Sequence, residues 1–107
     1  MKKIFISMPM REKFEDEIRR EQEKMLELAG EFLHEAVELV ENYLPPDYKY
    51  SPLTCLGSAI KAMDDADYVL FAGDWQEARG CKIEMACAVG YDKKILLEDN
   101  GKIEEAE

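Results

Sequence analysis

An α/β domain, built on a parallel sheet of roughly four strands with helices on both faces, is what this sequence predicts on three observations. Short β-rich runs recur at Lys3–Ser7, Val37–Val40, Tyr68–Phe71 and Ile95–Leu97, the length of buried strands and too short for helices. Longer stretches with helical periodicity separate them, so the order is βαβαβαβ, which demands parallel strands joined by right-handed crossovers. The chain has 107 residues, 47% apolar and 36% charged, enough for one core and not for two.

Lys3-Ile4-Phe5-Ile6-Ser7 is the first strand, closed at Ser7 or Met8 by Pro9. Ser7-Met8-Pro9-Met10-Arg11 is then a strand-to-helix loop whose amides and following helix can meet an anion, with Arg11 adding charge. It lacks a glycine pattern such as GxGxxG. Phe14, Ile18, Met25, Ala29 and Phe32 mark one face of a long helix over about residues 12–33. Its charged middle, Asp16 to Lys24, reads as a solvated face, or as a helix that projects to serve a partner subunit. Val37–Val40 reads as strand two; continuing the helix to Tyr43 is the alternative, and Pro45-Pro46-Asp47 ends either. Ser51-Pro52 opens the next helix with Ser as N-cap, and Leu53, Leu56, Ile60 and Met63 form its apolar stripe. Asp64-Asp65-Ala66-Asp67 ends it as a solvated flank before the third strand, Tyr68–Phe71. A polar loop follows, then a helix from Gly80 to Tyr91. Ile83, Ala86, Cys87 and Gly90 are the residues expected to meet the sheet. Ile95-Leu96-Leu97 is the fourth strand. Residues 1–97 are thus one domain and 98–107 a frayed acidic tail, with Ile103 the one residue suited to docking. Helices on both faces of such a sheet give a three-layer, flavodoxin-like or Rossmann-like arrangement.

Charge and composition narrow the function classes. A net charge of −10 argues against a nucleic-acid polymer, since phosphate backbones need a basic footprint. One small anion held by a local Arg or Lys is compatible with it. No apolar run approaches the roughly 20 residues of a spanning helix, so no membrane role is expected. Met1-Lys2-Lys3 and the short run after it are too brief for a secretory signal, and the expected location is the cytoplasm. Cys55, Cys81 and Cys87 are odd in number and read as free thiols. With His34 the only histidine, neither a metal site nor a cofactor is expected.

The chemistry concentrates after the third strand, in Phe71-Ala72-Gly73-Asp74-Trp75-Gln76-Glu77-Ala78-Arg79-Gly80-Cys81-Lys82-Ile83-Glu84. Asp74 stands at the strand end and Glu84 one turn into the next helix, near the carboxyl end of the sheet, where open α/β sheets bind ligands. Two carboxylates there suit glycosyl transfer: Glu84 attacks the anomeric carbon and Asp74 handles the proton on the leaving base. Burial would raise the Glu84 pKa and the helix N-terminus would lower it, a balance the sequence leaves open. Trp75 either stacks on a nucleobase or caps the sheet end. Arg79 and Lys82 either hold a phosphate or carboxylate or pair with Glu77. Cys81 near the helix start has the position of an activated thiol but no histidine beside it in sequence, and Cys87 reads as packing.

These residues carry a resemblance. Gly80-Cys81-Lys82-Ile83-Glu84, followed by Ala86, Ala88 and Gly90, resembles the nucleoside 2-deoxyribosyltransferase superfamily, in which a glycine four residues before a nucleophilic glutamate opens the helix. Asp74 matches the aspartate after that family's third strand. Ile4-Phe5-Ile6-Ser7-Met8-Pro9-Met10 resembles its first strand and substrate loop, with Met8 where a glycine is usual. Within the superfamily the chain is most similar to a bacterial and phage branch called DUF4406. Phe5 to Arg11, Pro52-Leu53-Thr54-Cys55-Leu56-Gly57 and Trp75 to Glu84 carry that likeness, which spans about residues 3–97. The resemblance implies Glu84 and Asp74 as catalytic residues, and Ser7, Met8, Pro9, Met10, Arg11, Trp75, Arg79 and Gly80 around the substrate. It also implies a homo-oligomer whose neighbours complete each site. Ala78 and Arg79 stand where the transferases carry a further acidic residue, and the C-terminal segment that reaches a neighbouring site is absent from this sequence. Arg79 therefore suits an anionic substrate, such as a nucleoside 5′-monophosphate, better than a neutral nucleoside.

Three readings follow. The first is an enzyme of the N-glycosidic bond, transferring or hydrolysing a nucleoside or its 5′-monophosphate. The alternative is a non-catalytic nucleotide-binding or sensing module, in which Glu84 holds a ribose hydroxyl. The third is a structural or interaction piece resting on the charged helix and acidic surface.

Overall fold

The computed structural model describes residues 1–10, 13–41 and 50–106. Arg11, the expected helix start at residue 12 and the Pro45-Pro46-Asp47 cluster lie outside them. The elements are β1 (Lys2–Ser7), α1 (Glu15–Leu33), β2 (Val37–Leu39), α2 (Pro52–Met63), β3 (Tyr68–Phe71), α3 (Arg79–Gly90), β4 (Lys94–Asp99) and β5 (Lys102–Ala106). A short 3₁₀ turn, Trp75–Glu77, stands between β3 and α3.

The chain is α/β, with one five-stranded sheet in the order β2-β1-β3-β4-β5. The first four strands are parallel, and β5 runs antiparallel to β4. Because β1 and β3 are neighbours while β2 lies on the far side of β1, the chain reverses direction across the sheet there. A crevice at the carboxyl ends of β1 and β3 follows.

Alternation along the strands splits the core in two. Ile4, Ile6, Leu70 and Leu96 pack with Met25 and Ala29 of α1. Phe5, Val69, Phe71 and Ile95 pack with Ala62 and Met63 of α2 and Ala88 of α3. Successive strand residues point to opposite faces, so α1 covers one face and α2 with α3 the other.

Local chemistry sets the helix ends. The α1 N-cap, Phe14, makes no side-chain capping bond, and Glu15, Asp16 and Glu17 face the positive end of the helix dipole instead. The helix stops at His34, which takes a left-handed conformation (φ 56°) and returns its N–H to the Gly30 carbonyl. In α2 the Ser51 hydroxyl accepts the Thr54 N–H at 3.2 Å, with Pro52 at the first helical position. At the opposite edge of β3, Asp67 accepts the Lys3 N–H at 2.8 Å. That bond holds its carboxyl below the ordinary range.

Three expectations need correction. The fold has five strands rather than four, because residues 98–106 form a hairpin and not a frayed tail. Asn100 and Gly101 both have positive φ (51° and 81°), and Asp99 pairs with Lys102 across them. An Asn-Gly pair turns a chain in two residues this way. Its acidic residues Glu104 and Glu105 stay exposed on the sheet edge while Ile103 packs toward α1. Charged edges of this kind resist pairing with other chains. Second, Phe14 and Leu53 are exposed and Phe32 partly so, leaving Met25, Ala29, Ala62 and Met63 as the buried helix residues. Third, α3 meets the sheet with Cys81, Glu84 and Ala88, while Ile83, Ala86 and Gly90 lie outward. Small side chains allow α3 to lie close to the strands, where Ile83 would not fit without moving the helix.

Candidate functional site

Ser7 is the last residue of β1 and stands beside Phe71, the last residue of β3. It shares the parity of Phe5, so its side chain points toward the face that α3 covers. There it meets Glu84, and the Ser7 hydroxyl donates to Glu84 Oε1 at 2.6 Å inside the protein. That length is typical of a hydroxyl donating to a carboxylate. Ser7 is 1% exposed and Glu84 8%, the two polar residues buried among the described ones.

Burial settles the balance that the sequence leaves open. It pushes the Glu84 carboxyl above the ordinary glutamate range, and the Ser7 hydrogen bond pulls back against it. A carboxylate at 8% exposure without a cation as hydrogen-bond partner among the described residues is costly, and shifted groups of this kind cluster at functional sites.

Cys81, one turn before Glu84 and on the same face, is buried as well. Its thiol is held above the ordinary range by burial first; the Ser7 hydroxyl lowers it, the Glu84 and Asp74 carboxylates raise it and Lys13 lowers it. A thiol so placed stays protonated at neutral pH and is a poor nucleophile.

Asp74 is exposed, and leads the 3₁₀ turn directly after β3. Trp75 packs edge-on against Phe71, ring centroids 5.6 Å apart at 61°, and joins the α2–α3 core. The ring thus packs as a half-buried cap on the sheet end. Arg79 is exposed at the first position of α3 and, with Gly80, Pro52, Leu53, Leu56 and Ile83, lines an open cleft of about 390 Å³ whose lining does not include Ser7, Asp74 or Glu84. Among the described residues no ion pair joins Arg79 or Lys82 to Glu77.

The substrate loop divides. Met8 is buried in the core under α1, so its side chain does not line the crevice; only its backbone can. Pro9 is half-buried and Met10 exposed, while Arg11 lies outside the described residues. Met8 was legible as a core residue from the alternation of Ile4 and Ile6, which continues through it.

Two residues near the site escape sequence reasoning. Lys13 forms an ion pair with Glu21 at 2.9 Å and its field reaches Cys81. Glu98 accepts the Gly73 N–H at 2.9 Å, at the base of the Asp74 loop. An i, i+8 pair between a loop and a helix has no periodic signature. The Asn-Gly turn signal was the available clue to Glu98.

No three His, Cys, Asp or Glu side chains among the described residues are grouped to hold a metal ion. No helix among them is long and apolar enough to cross a membrane. Compared with known proteins, the chain matches no family model and no curated protein.

Proposed function

We propose that the protein acts on the N-glycosidic bond of a nucleoside or nucleoside 5′-monophosphate, with Glu84 as nucleophile. The observation that carries this reading is the buried Ser7–Glu84 pair, 2.6 Å apart at the carboxyl ends of β1 and β3. In the proposed step a Glu84 oxygen bonds to C1′ as the C1′–N bond breaks. The bonding pair leaves on the base, and Asp74 handles the proton that the base takes up. Water or an acceptor base, giving up its proton to Asp74, then attacks C1′ as the C1′–O bond to Glu84 breaks, which frees the carboxylate and gives hydrolysis or transfer. Ser7 fixes which carboxylate oxygen is free to attack. Arg79 and Gly80, which line the cleft between α2 and α3, suit a phosphate.

The same reading takes the fold as three-layer and flavodoxin-like, supported by the strand order β2-β1-β3-β4-β5. It also places the protein in the cytoplasm as a homo-oligomer. Support for self-association comes from the exposed apolar residues Val89 on the outer side of α3 (61% exposed) and Tyr91 just past its end (83%). Sedimentation at rising protein concentration measures that directly, and a monomer throughout removes it.

The test is a panel of ribo- and deoxyribonucleosides and their 5′-monophosphates, with and without free acceptor base, followed by chromatography. Base release or exchange that Glu84→Gln loses is the expected result. A Glu84→Gln protein that turns over normally would sink the proposal. Tight nucleotide binding without turnover would favour the binding-module reading, which the exposed position of Asp74 also suits.

A further inference from the structure

We infer that Glu98 is a positioning residue which clamps the Asp74–Trp75 loop against the β4–β5 turn. This rests on the proposed role of Asp74 in proton handling. The Gly73 N–H donates to Glu98 Oε1 and the Gly101 N–H donates to Glu98 Oε2, each at 2.9 Å. One carboxylate therefore ties two separate segments: the loop leaving β3 and the reversal between β4 and β5.

The loop comes close enough for this because residue 73 is a glycine. A Cβ there would stand 3.1 Å from the Glu98 carbonyl oxygen and 3.4 Å from Oε1. Beyond Gly73 the loop's backbone bonds among the described residues are short turns: the Trp75 N–H to the Ala72 carbonyl at 3.0 Å, the Glu77 N–H to the Asp74 carbonyl at 3.0 Å and the Ala78 N–H to the Trp75 carbonyl at 3.2 Å. Those bonds shape the turn, and the Trp75 ring against Phe71 ties its far side to the sheet. The Gly73–Glu98 bond fixes it one residue before Asp74, which itself is exposed and has no hydrogen-bond partner for its carboxylate among the described residues. Two bonds to an ionised acceptor hold more firmly than neutral pairs do.

Trp75 is the only tryptophan, so its fluorescence reads the loop whether or not any substrate is turned over. Glu98→Ala should leave the far-UV dichroism intact and raise acrylamide quenching of Trp75 about twofold. Gly101→Ala strains the same turn through its positive φ but leaves the Glu98 carboxylate in place, and should move Trp75 much less. On a substrate found by the panel, Glu98→Ala should lower kcat about tenfold with KM within about twofold. Glu98→Gln, which keeps one acceptor oxygen, should recover part of that loss. If Glu98→Ala does not fold, Glu98→Leu replaces it under the same criteria. Trp75 quenching unchanged from the parent, or moved as far by Gly101→Ala, overturns the clamp. A loosened Trp75 with no turnover by any variant or the parent keeps the clamp and removes the glycosidic reading instead.

Discussion

The two sides of α3 invert the ordinary rule. Its inner side buries a carboxylate, Glu84, with the small residues Cys81 and Ala88, while its outer side leaves Ile83 at 38% and Val89 at 61% exposed. A helix selected for stability alone would be turned the other way, since burying an isoleucine is worth about 1.5–3 kcal/mol and an ionised carboxylate costs. What holds the observed orientation is shape: small side chains let the helix approach β3 and β4, and the Ser7 hydroxyl donates to the acid. The difference teaches that the inner side is arranged around Glu84, while the outer side carries Val89 exposed and Ile83 in the open cleft beside α2.

The sharpest way to break this comparison is Glu84→Gln, because it should move activity and stability in opposite directions. Turnover should fall on the order of 10³-fold or more with loss of a nucleophile. Folding should strengthen at neutral pH. The folded-state pKa of Glu84 lies above its unfolded value, so its favourable contribution is complete below the unfolded pKa and is lost as pH rises through the folded one. The amide removes that loss, so the gain in thermal midpoint should be larger at pH 7 than at pH 4. In a domain of this size each kcal/mol moves the midpoint about 4–8 °C. A midpoint lowered at pH 7 would show that the ionised carboxylate stabilises the fold.

Ser7→Ala should cost about 1.5–3 kcal/mol, the scale of a hydrogen bond to a charged group, or roughly 10- to 150-fold if the loss falls on the transition state. Since Ser7 pulls the Glu84 pKa down, the acid limb of the activity profile should move to higher pH. An unshifted limb in the variant would separate Ser7 from the titrating group.

The packing difference can be sharpened with one change on each side. Ala88 is fully buried, and Ala88→Leu should destabilise by about 1–3 kcal/mol through overpacking against Phe5 and Val69. On the outer side Ile83→Ser should stay within about 0.5 kcal/mol at low protein concentration, measured by urea midpoint. Equal effects from the two would mean that α3 is turned otherwise.

Strand positions were legible because buried parallel strands are short and apolar, and Ser51-Pro52 announced α2 by its capping chemistry. The face of α3 was not, because counting apolar residues assumes that they go inside, and here close approach to the sheet outweighs the burial of Ile83. Glu84 and Asp74 were placed correctly at the carboxyl end of the sheet, since that follows from chain order alone. The Ser7–Glu84 contact spans 77 positions and the Gly73–Glu98 contact 25, and no local pattern encodes either. β5 was hidden by its charge: an edge strand covered on one face can be acidic at its exposed positions, which composition reads as a tail.

The most direct test of Glu84 as nucleophile is the intact mass of the protein, quenched in acid during turnover of the best substrate in the panel. The account predicts a population heavier by one pentosyl unit, or one 5-phosphopentosyl unit for a monophosphate substrate, carried on the peptide that contains Glu84 and missing from Glu84→Gln. A pentosyl adduct on any other residue, or full turnover by Glu84→Gln, would contradict it.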